Sequence, residues 1–282
     1  MLELILKKID WLPEDSRELI KWASCIGNRF DLQTLAALWG KSVDETASSL
    51  MPSVLEGLVF ISENEKMRSS LINAENKNTV YEFLHDRVQQ AVYALINEDE
   101  KKEKHMTIGS LLLLNTSSDM LEEKIMSIMD HFNRSLEFIQ DPSTRIELAG
   151  YNLLAGRKAK ASAAYASALR YFKSGTELLA DDAWEHHYRL SFDLYLELAQ
   201  AQYLCSDVNG AEELFDKVLE RAQTELERAD VNSLKVILYA GVGKYTEAVQ
   251  TGMKALKNLG INLPLHPTKL DYVKELLRYK WS

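Results

Sequence analysis

A recurring small residue constrains this chain more than any other feature. The stretches "AYASALRYFKSG", "VNGAEELFDKVLE" and "KYTEAVQTGMKAL" each carry an alanine, Ala168, Ala211 and Ala248, at intervals of 43 and 37 residues. Four or five residues after each alanine, another residue continues the same apolar side. A small side chain at such a point lets two antiparallel helices approach closely. One helix pair cannot bury its own apolar face, so pairs of this kind are expected to stack on their neighbours.

The rest of the chain agrees with a helical architecture. Only 5 prolines and 12 glycines occur in 282 residues, and 46% of the residues are hydrophobic, which is enough for a sizeable core. Helical periodicity over most of the length predicts a nearly all-α fold. The net charge of -9 argues against a nucleic-acid backbone or an anionic membrane as partner, since both attract clustered Lys and Arg. Cys25 and Cys205, the two cysteines, sit beside Ile26 and Leu204. They read as buried free thiols in a reducing compartment. The N-terminus lacks the form of a signal peptide, and the longest apolar run, Leu111 to Leu114, is far below a membrane span. A cytoplasmic location is expected.

The N-terminal third punctuates itself clearly. Pro13, Glu14 and Asp15 suit the start of a helix whose buried face is Leu19, Trp22, Ala23 and Ile26, with Gly27 as its stop. Asp31 is a candidate N-cap for a second helix with Leu32, Leu35, Ala36 and Trp39 inward, and Phe30 and Leu35 are placed for a hydrophobic staple. Ser42 and Glu45 predict a capping box on a third helix with Ala47, Leu50, Met51 and Val54 inward, kinked or split at Pro52. "LVFI" (Leu58 to Ile61) and "TVYEF" (Thr79 to Phe83) then read as two strands joined by a polar loop. A further helix follows, with Val88, Ala91, Val92 and Leu95 inward.

Three helices, a β-hairpin and a helix is the order of a winged helix-turn-helix, which the sequence places at residues 1–98. Residues 99–282 read as two amphipathic helices followed by the repeats, which resemble tetratricopeptide units of long and degenerate form. "NLGINLPLHP" interrupts the pattern and "KLDYVKELLRYKW" predicts one more helix. The chain ends on Trp281 and Ser282 rather than on a polar cap, so it is expected to be a piece of something longer.

The search for chemistry is mostly negative. "GVGKYT" (Gly241 to Thr246) fails as a phosphate-binding loop. Leu238 stands where the leading glycine is needed, and Tyr245 where a magnesium-holding Ser or Thr is needed. A turn between repeat helices accounts better for Gly243. None of the six histidines, His85, His105, His131, His186, His187 and His266, shows zinc-type spacing with another His or Cys. No metal ligands, catalytic residues or cofactor site are expected within the chain, which predicts that it is no enzyme by itself. The third helix carries Asp44, Glu45 and Glu56 and no Lys or Arg from Ser42 to Leu58, which is contrary to a DNA reader.

Three stretches carry a family resemblance: "ELIKWASCIGNRFDLQTLA" (Glu18 to Ala36), "VYEFLHDRVQQAVYALI" (Val80 to Ile96) and "AGRKAKASAAYASALRYFKSGTELL" (Ala155 to Leu179). Together they resemble very large bacterial signalling proteins that join a serine/threonine kinase-like domain, an AAA-type ATPase module of the signal-transduction (STAND) class, and a sensor histidine kinase region. The resemblance implies that this chain is the winged helix and the first repeats of such a protein, downstream of a nucleotide-binding domain it does not contain. ATP or ADP would belong to that domain. The implied partners are the upstream nucleotide-binding domain and an unidentified protein or small ligand on the repeats. "Leu84-His85-Asp86" resembles the Met-His-Asp motif of related NTPases, whose histidine approaches the β-phosphate of ADP. By that resemblance His85, Asp86 and Arg87 are the candidate nucleotide-sensing residues. His85 would donate to phosphate, Asp86 would cap the helix and Arg87 would pair with an acid or phosphate. A free-standing repeat scaffold and a DNA-binding regulator are the alternative readings.

Overall fold

The computed structural model describes residues 2–62 and 79–264, with 268, 271 and 273. The chain forms two compact units, Met1–Gln140 and Asp141–Ser282. Most of the polar loop expected between the two strands lies outside the described residues, as does most of the helix expected over "KLDYVKELLRYKW".

The first unit runs α1 (Leu2–Asp10), α2 (Glu14–Ile26), β1 (Arg29–Asp31), α3 (Leu32–Trp39), α4 (Val43–Leu55), β2 (Val59–Ile61), β3 (Val80–Phe83), α5 (Asp86–Ala94), α6 (Glu98–Leu114) and α7 (Ser118–Phe132). A short 3-10 turn, Leu136–Phe138, follows. The sheet is antiparallel in the order β1-β3-β2. Phe30 faces Tyr81, and Tyr81 faces Ile61 on the other side. Phe30 and Tyr81 stack with ring centroids 6.0 Å apart. Beneath the sheet Leu19, Ile20, Leu35, Leu50, Phe83 and Val92 form one core, so the strands and helices α2 to α5 share their apolar faces.

The expected strands pair as a hairpin, but β1 adds a third strand that the sequence reading lacks, and α1 is likewise new. Asp31 has two jobs. It ends β1, pairing with Val80, and its carboxylate accepts the Thr34 N–H at 2.7 Å to cap α3. The Ser42–Glu45 capping box forms as expected. Pro52, by contrast, neither splits nor ends α4. It sits near the C-terminal end, where its missing N–H leaves one carbonyl, that of exposed Ser48, to solvent. Met51 points outward, and Thr46 and Ser53 are buried in its stead. Ser53 Oγ is satisfied by Ser16 Oγ at 2.8 Å.

The first unit extends past residue 98, because α6 packs on α2. Lys104 Nζ lies 4.1 Å from the centroid of the Trp22 ring and 3.2 Å from a Glu100 carboxylate oxygen. Its aliphatic stem is buried while the charge stays paired.

Among the described residues the second unit holds three helix pairs: α8 (Pro142–Ala161) with α9 (Tyr165–Leu178), α11 (Tyr188–Leu204) with α12 (Val208–Arg221), and α13 (Glu225–Gly241) with α14 (Tyr245–Asn258). A short α10 (Ala183–His186) precedes the second pair. The repeating alanines stand at the same place in each pair. Ala168, Ala211 and Ala248 are all buried, and each donates its backbone N–H to the residue just before its helix: Ala164, Asp207 and Lys244.

The turns between paired helices share one geometry. Ala163, Ser206 and Gly243 adopt positive φ of 58°, 70° and 79°. The next N–H in each case reaches back five residues in the chain: Ala164 to Ala159 O, Asp207 to Gln202 O and Lys244 to Tyr239 O, each at 2.9 Å. This is a Schellman closure, which satisfies the last carbonyls of the first helix and reverses the chain. Gly243 in "GVGKYT" is therefore the left-handed residue of a helix turn.

Candidate functional site

The seam between β3 and α5 carries the residues singled out by the Met-His-Asp resemblance. Leu84 N–H bonds to Leu58 O at 3.0 Å, holding the chain to β2, and His85 O accepts the Val88 N–H at 2.8 Å, opening α5. His85 is the N-cap residue with extended φ and ψ of -153° and 152°, but its side chain makes no capping bond. Asp86 is thus the first helical residue rather than the cap. It still favours the positive end of the helix dipole. His85, Asp86 and Arg87 are all exposed, and Leu84 beside them is 50% exposed. Four consecutive side chains thus face outward from a backbone fixed on both flanks. Val88, Ala91 and Val92 do turn inward, whereas Leu95 is exposed and Ile96 takes its place, because α5 ends at Ala94.

A second constellation lies in the same unit, and periodicity alone does not reveal it. A cleft of about 340 Å³ is lined by Ser24 to Gly27 at the end of α2, Gln89 and Tyr93 of α5, His105 of α6, and Ser127, Asp130, His131 and Arg134 on and just beyond α7. His105 and His131 are 3% and 7% exposed, and their Nδ1 atoms lie 2.9 Å apart. His105 Nε2 is 3.0 Å from Tyr93 Oη, and Arg134 donates to the same Oη at 3.3 Å. Gln89 Nε2 donates to Ser24 O at 2.7 Å, tying α5 to α2.

Burial keeps both imidazoles neutral. Desolvation foremost, then His131, Arg134 and Lys101, push His105 down to about 3. Desolvation and Arg134 push His131 down to about 4, against the opposing pull of Asp130. Cys25, on the same wall, is raised to about 11 chiefly by desolvation, although Lys104 opposes it. Its thiol is a packing group, not a nucleophile. Sequence reading passed over the histidine pair because 26 residues separate the partners. The available signal was position: His105 precedes Ile108, Gly109 and Leu112 on one stripe, and His131 lies among Ile128, Met129 and Phe132.

In the second unit, buried Glu197 of α11 accepts from Arg157 at 2.9 Å and from Lys160, both on α8. Asp193 pairs with Arg157 at 3.2 Å and with Arg189 at 2.8 Å. These cations are neutralised within the unit. Among the described residues no group of three or more His, Cys, Asp or Glu is arranged to hold a metal, and no helix is long and apolar enough to cross a membrane.

No family model matches the chain. The chain is similar to Hybrid signal transduction histidine kinase G of Dictyostelium discoideum, 24% identical over 99% of this chain and 10% of that protein. It is also similar to the Peroxide stress-activated histidine kinase mak3 of Schizosaccharomyces pombe, 24% identical over 92% of this chain and 11% of that protein. The chain therefore spans about a tenth of the length of these curated relatives. Among solved structures, it aligns with a signal transduction ATPase with numerous domains bearing a tetratricopeptide repeat sensor, from Pyrococcus horikoshii. That alignment has a TM-score of 0.32 and 16% identity, covering 89% of this chain and 45% of the other.

Proposed function

We propose that this chain is a regulatory and interaction segment of a larger signalling protein, and that it is not catalytic by itself. The first unit acts as a winged helix that holds a nucleotide-binding domain, supplied by another part of the protein, in its ADP-bound state. The helix pairs of the second unit receive a protein or ligand and shift the population between locked and released forms.

The observation that carries this reading is the seam at Leu84 to Arg87. Imidazole, carboxylate and guanidinium stand exposed in succession at a helix N-terminus, on a backbone pinned by β2 and α5. That is a surface suited to meet a phosphate: His85 as donor, the α5 dipole as support, and Arg87 as a cation. The helix order, the antiparallel three-stranded sheet and the similarity to signal-transduction histidine kinases support the same reading. Exposed Asp44 and Glu45 at the start of α4 oppose DNA as the partner.

The test is His85→Ala in the longer protein, with ADP affinity measured by calorimetry. A loss of roughly tenfold or more is expected for removing a donor to a charged phosphate. Unchanged affinity sinks the role of His85.

A further inference from the structure

Tyr93, His105 and His131 form one hydrogen-bonded relay that begins at Arg134, which can only donate, so Tyr93 Oη accepts from it. With the phenol proton turned to its other neighbour, His105 Nε2 is the bare nitrogen of that ring, His105 carries its proton on Nδ1 and donates to His131 Nδ1, and a neutral His131 carries its proton on Nε2. The reversed relay would leave His131 Nε2 bare, so the tautomer of one ring sets that of the other.

Both ends present donors to the same cleft. His131 is more than nine-tenths buried, and among the described residues no partner engages its Nε2. Arg17 Nε, Trp39 Nε1, Ser191 Oγ and Gln202 Oε1 are the sealed side-chain polar atoms that lack a partner among the described residues, so the His131 Nε2–H is open to the cleft it lines. Arg134 stands three residues further on, and its bond to Tyr93 uses one of five guanidinium donors. The facing wall has the opposite character. It is the carbonyl end of α2, Ser24 to Gly27, beside Gln89, whose amide nitrogen is already engaged with Ser24 O. Asp130 adds a further acceptor at the rim.

We infer that this cleft binds a small polar metabolite through an oxyanion head, a carboxylate or phosphate, held by the His131 Nε2–H and the Arg134 guanidinium. The body of the ligand would turn its own N–H or O–H donors to the α2 carbonyl end. A volume of about 340 Å³ limits it to a compact molecule. A charge-assisted pair of donors on one side and acceptors on the other orient such a ligand uniquely. The site lies wholly within the first unit and does not depend on the nucleotide contact proposed for His85.

The test titrates the isotope-labelled chain with sodium phosphate and, separately, with sodium acetate at constant ionic strength. Imidazole and guanidinium nitrogen resonances are followed by NMR. Saturable shifts at His131 Nε2 and Arg134 are expected, and the tighter of the two probes tells whether the head is tetrahedral or planar. Arg134→Gln, an exposed position, should weaken binding roughly tenfold or more without altering the melting temperature. The binding results that overturn the proposal are shifts with both probes that fail to saturate and match a chloride control, or saturation that Arg134→Gln leaves unchanged. Nitrogen shifts showing His131 protonated on Nδ1 in the free chain also overturn it.

Discussion

His105 and His131 share one proton between Nδ1 atoms 2.9 Å apart, sealed between α6 and α7. In the unfolded chain each ring would take a proton near pH 6.5, but in the fold His105 is held down to about 3 and His131 to about 4. The folded state thus binds fewer protons across that window. Stability is fully present above pH 6.5 and is lost as pH falls toward 4. The expected slope is up to about 2 kcal/mol per pH unit, from urea unfolding of the first unit between pH 7 and 4.5. His131→Gln should roughly halve it, since His105 stays buried. A slope unchanged in the variant assigns the acid sensitivity elsewhere.

The repeat turns predict a gain of stability. Ala163 and Ser206 hold left-handed φ that L residues adopt only at a cost, whereas Gly243 meets the same demand without one. Ala163→Gly and Ser206→Gly should each stabilise the second unit by about 1 kcal/mol, and Gly243→Ala should destabilise it by a similar amount. Thermal unfolding followed by circular dichroism reads all three.

Gly156 predicts the reverse of ordinary helix propensity. Alanine normally improves a helix interior by about 1 kcal/mol over glycine. Here a Cβ on Gly156 would fall 2.3 Å from the ring of fully buried Phe172, where α8 meets α9. Gly156→Ala should therefore cost about 1–3 kcal/mol. The double variant with Phe172→Leu should lose less than the sum of the two single changes.

The thiols should separate chemically. Cys25 is buried, and its ionisation is pushed up to about 11 by desolvation, while Cys205 is only half-buried at the end of α11. Iodoacetamide at pH 8 should label Cys205 and leave Cys25 untouched until the first unit unfolds. Mass spectrometry of the digested chain checks the order.

Local signals in the sequence carried much of this architecture. Asp31 and the Ser42–Glu45 box cap helices as their chemistry requires, and Ala168, Ala211 and Ala248 mark the close approach of each helix pair. Elements decided by distant partners were not legible. β1 is only Arg29 to Asp31 and exists because β3 pairs with it fifty residues on. α1 is a short amphipathic run that gains its role by adding Ile9 and, in part, Ile5 to the core. The first compact unit reaches Gln140, past the division read at residue 98, because α6 rests on α2 through Lys104 and Trp22. The exposed residues at 84 to 87 were recognisable as a motif, but that all four face outward depends on the strand pairing behind them. The cleft was invisible because it draws on four helices at once.

Helix α5 is nine residues long, a rod of about 13 Å. His85 and Arg87 stand at one end, and Tyr93 reaches into the cleft near the other. The cleft and the seam are thus two ends of one short rigid element, so a ligand that shifted Tyr93 would load the hydrogen bond that holds Leu84 to Leu58 before it moved His85.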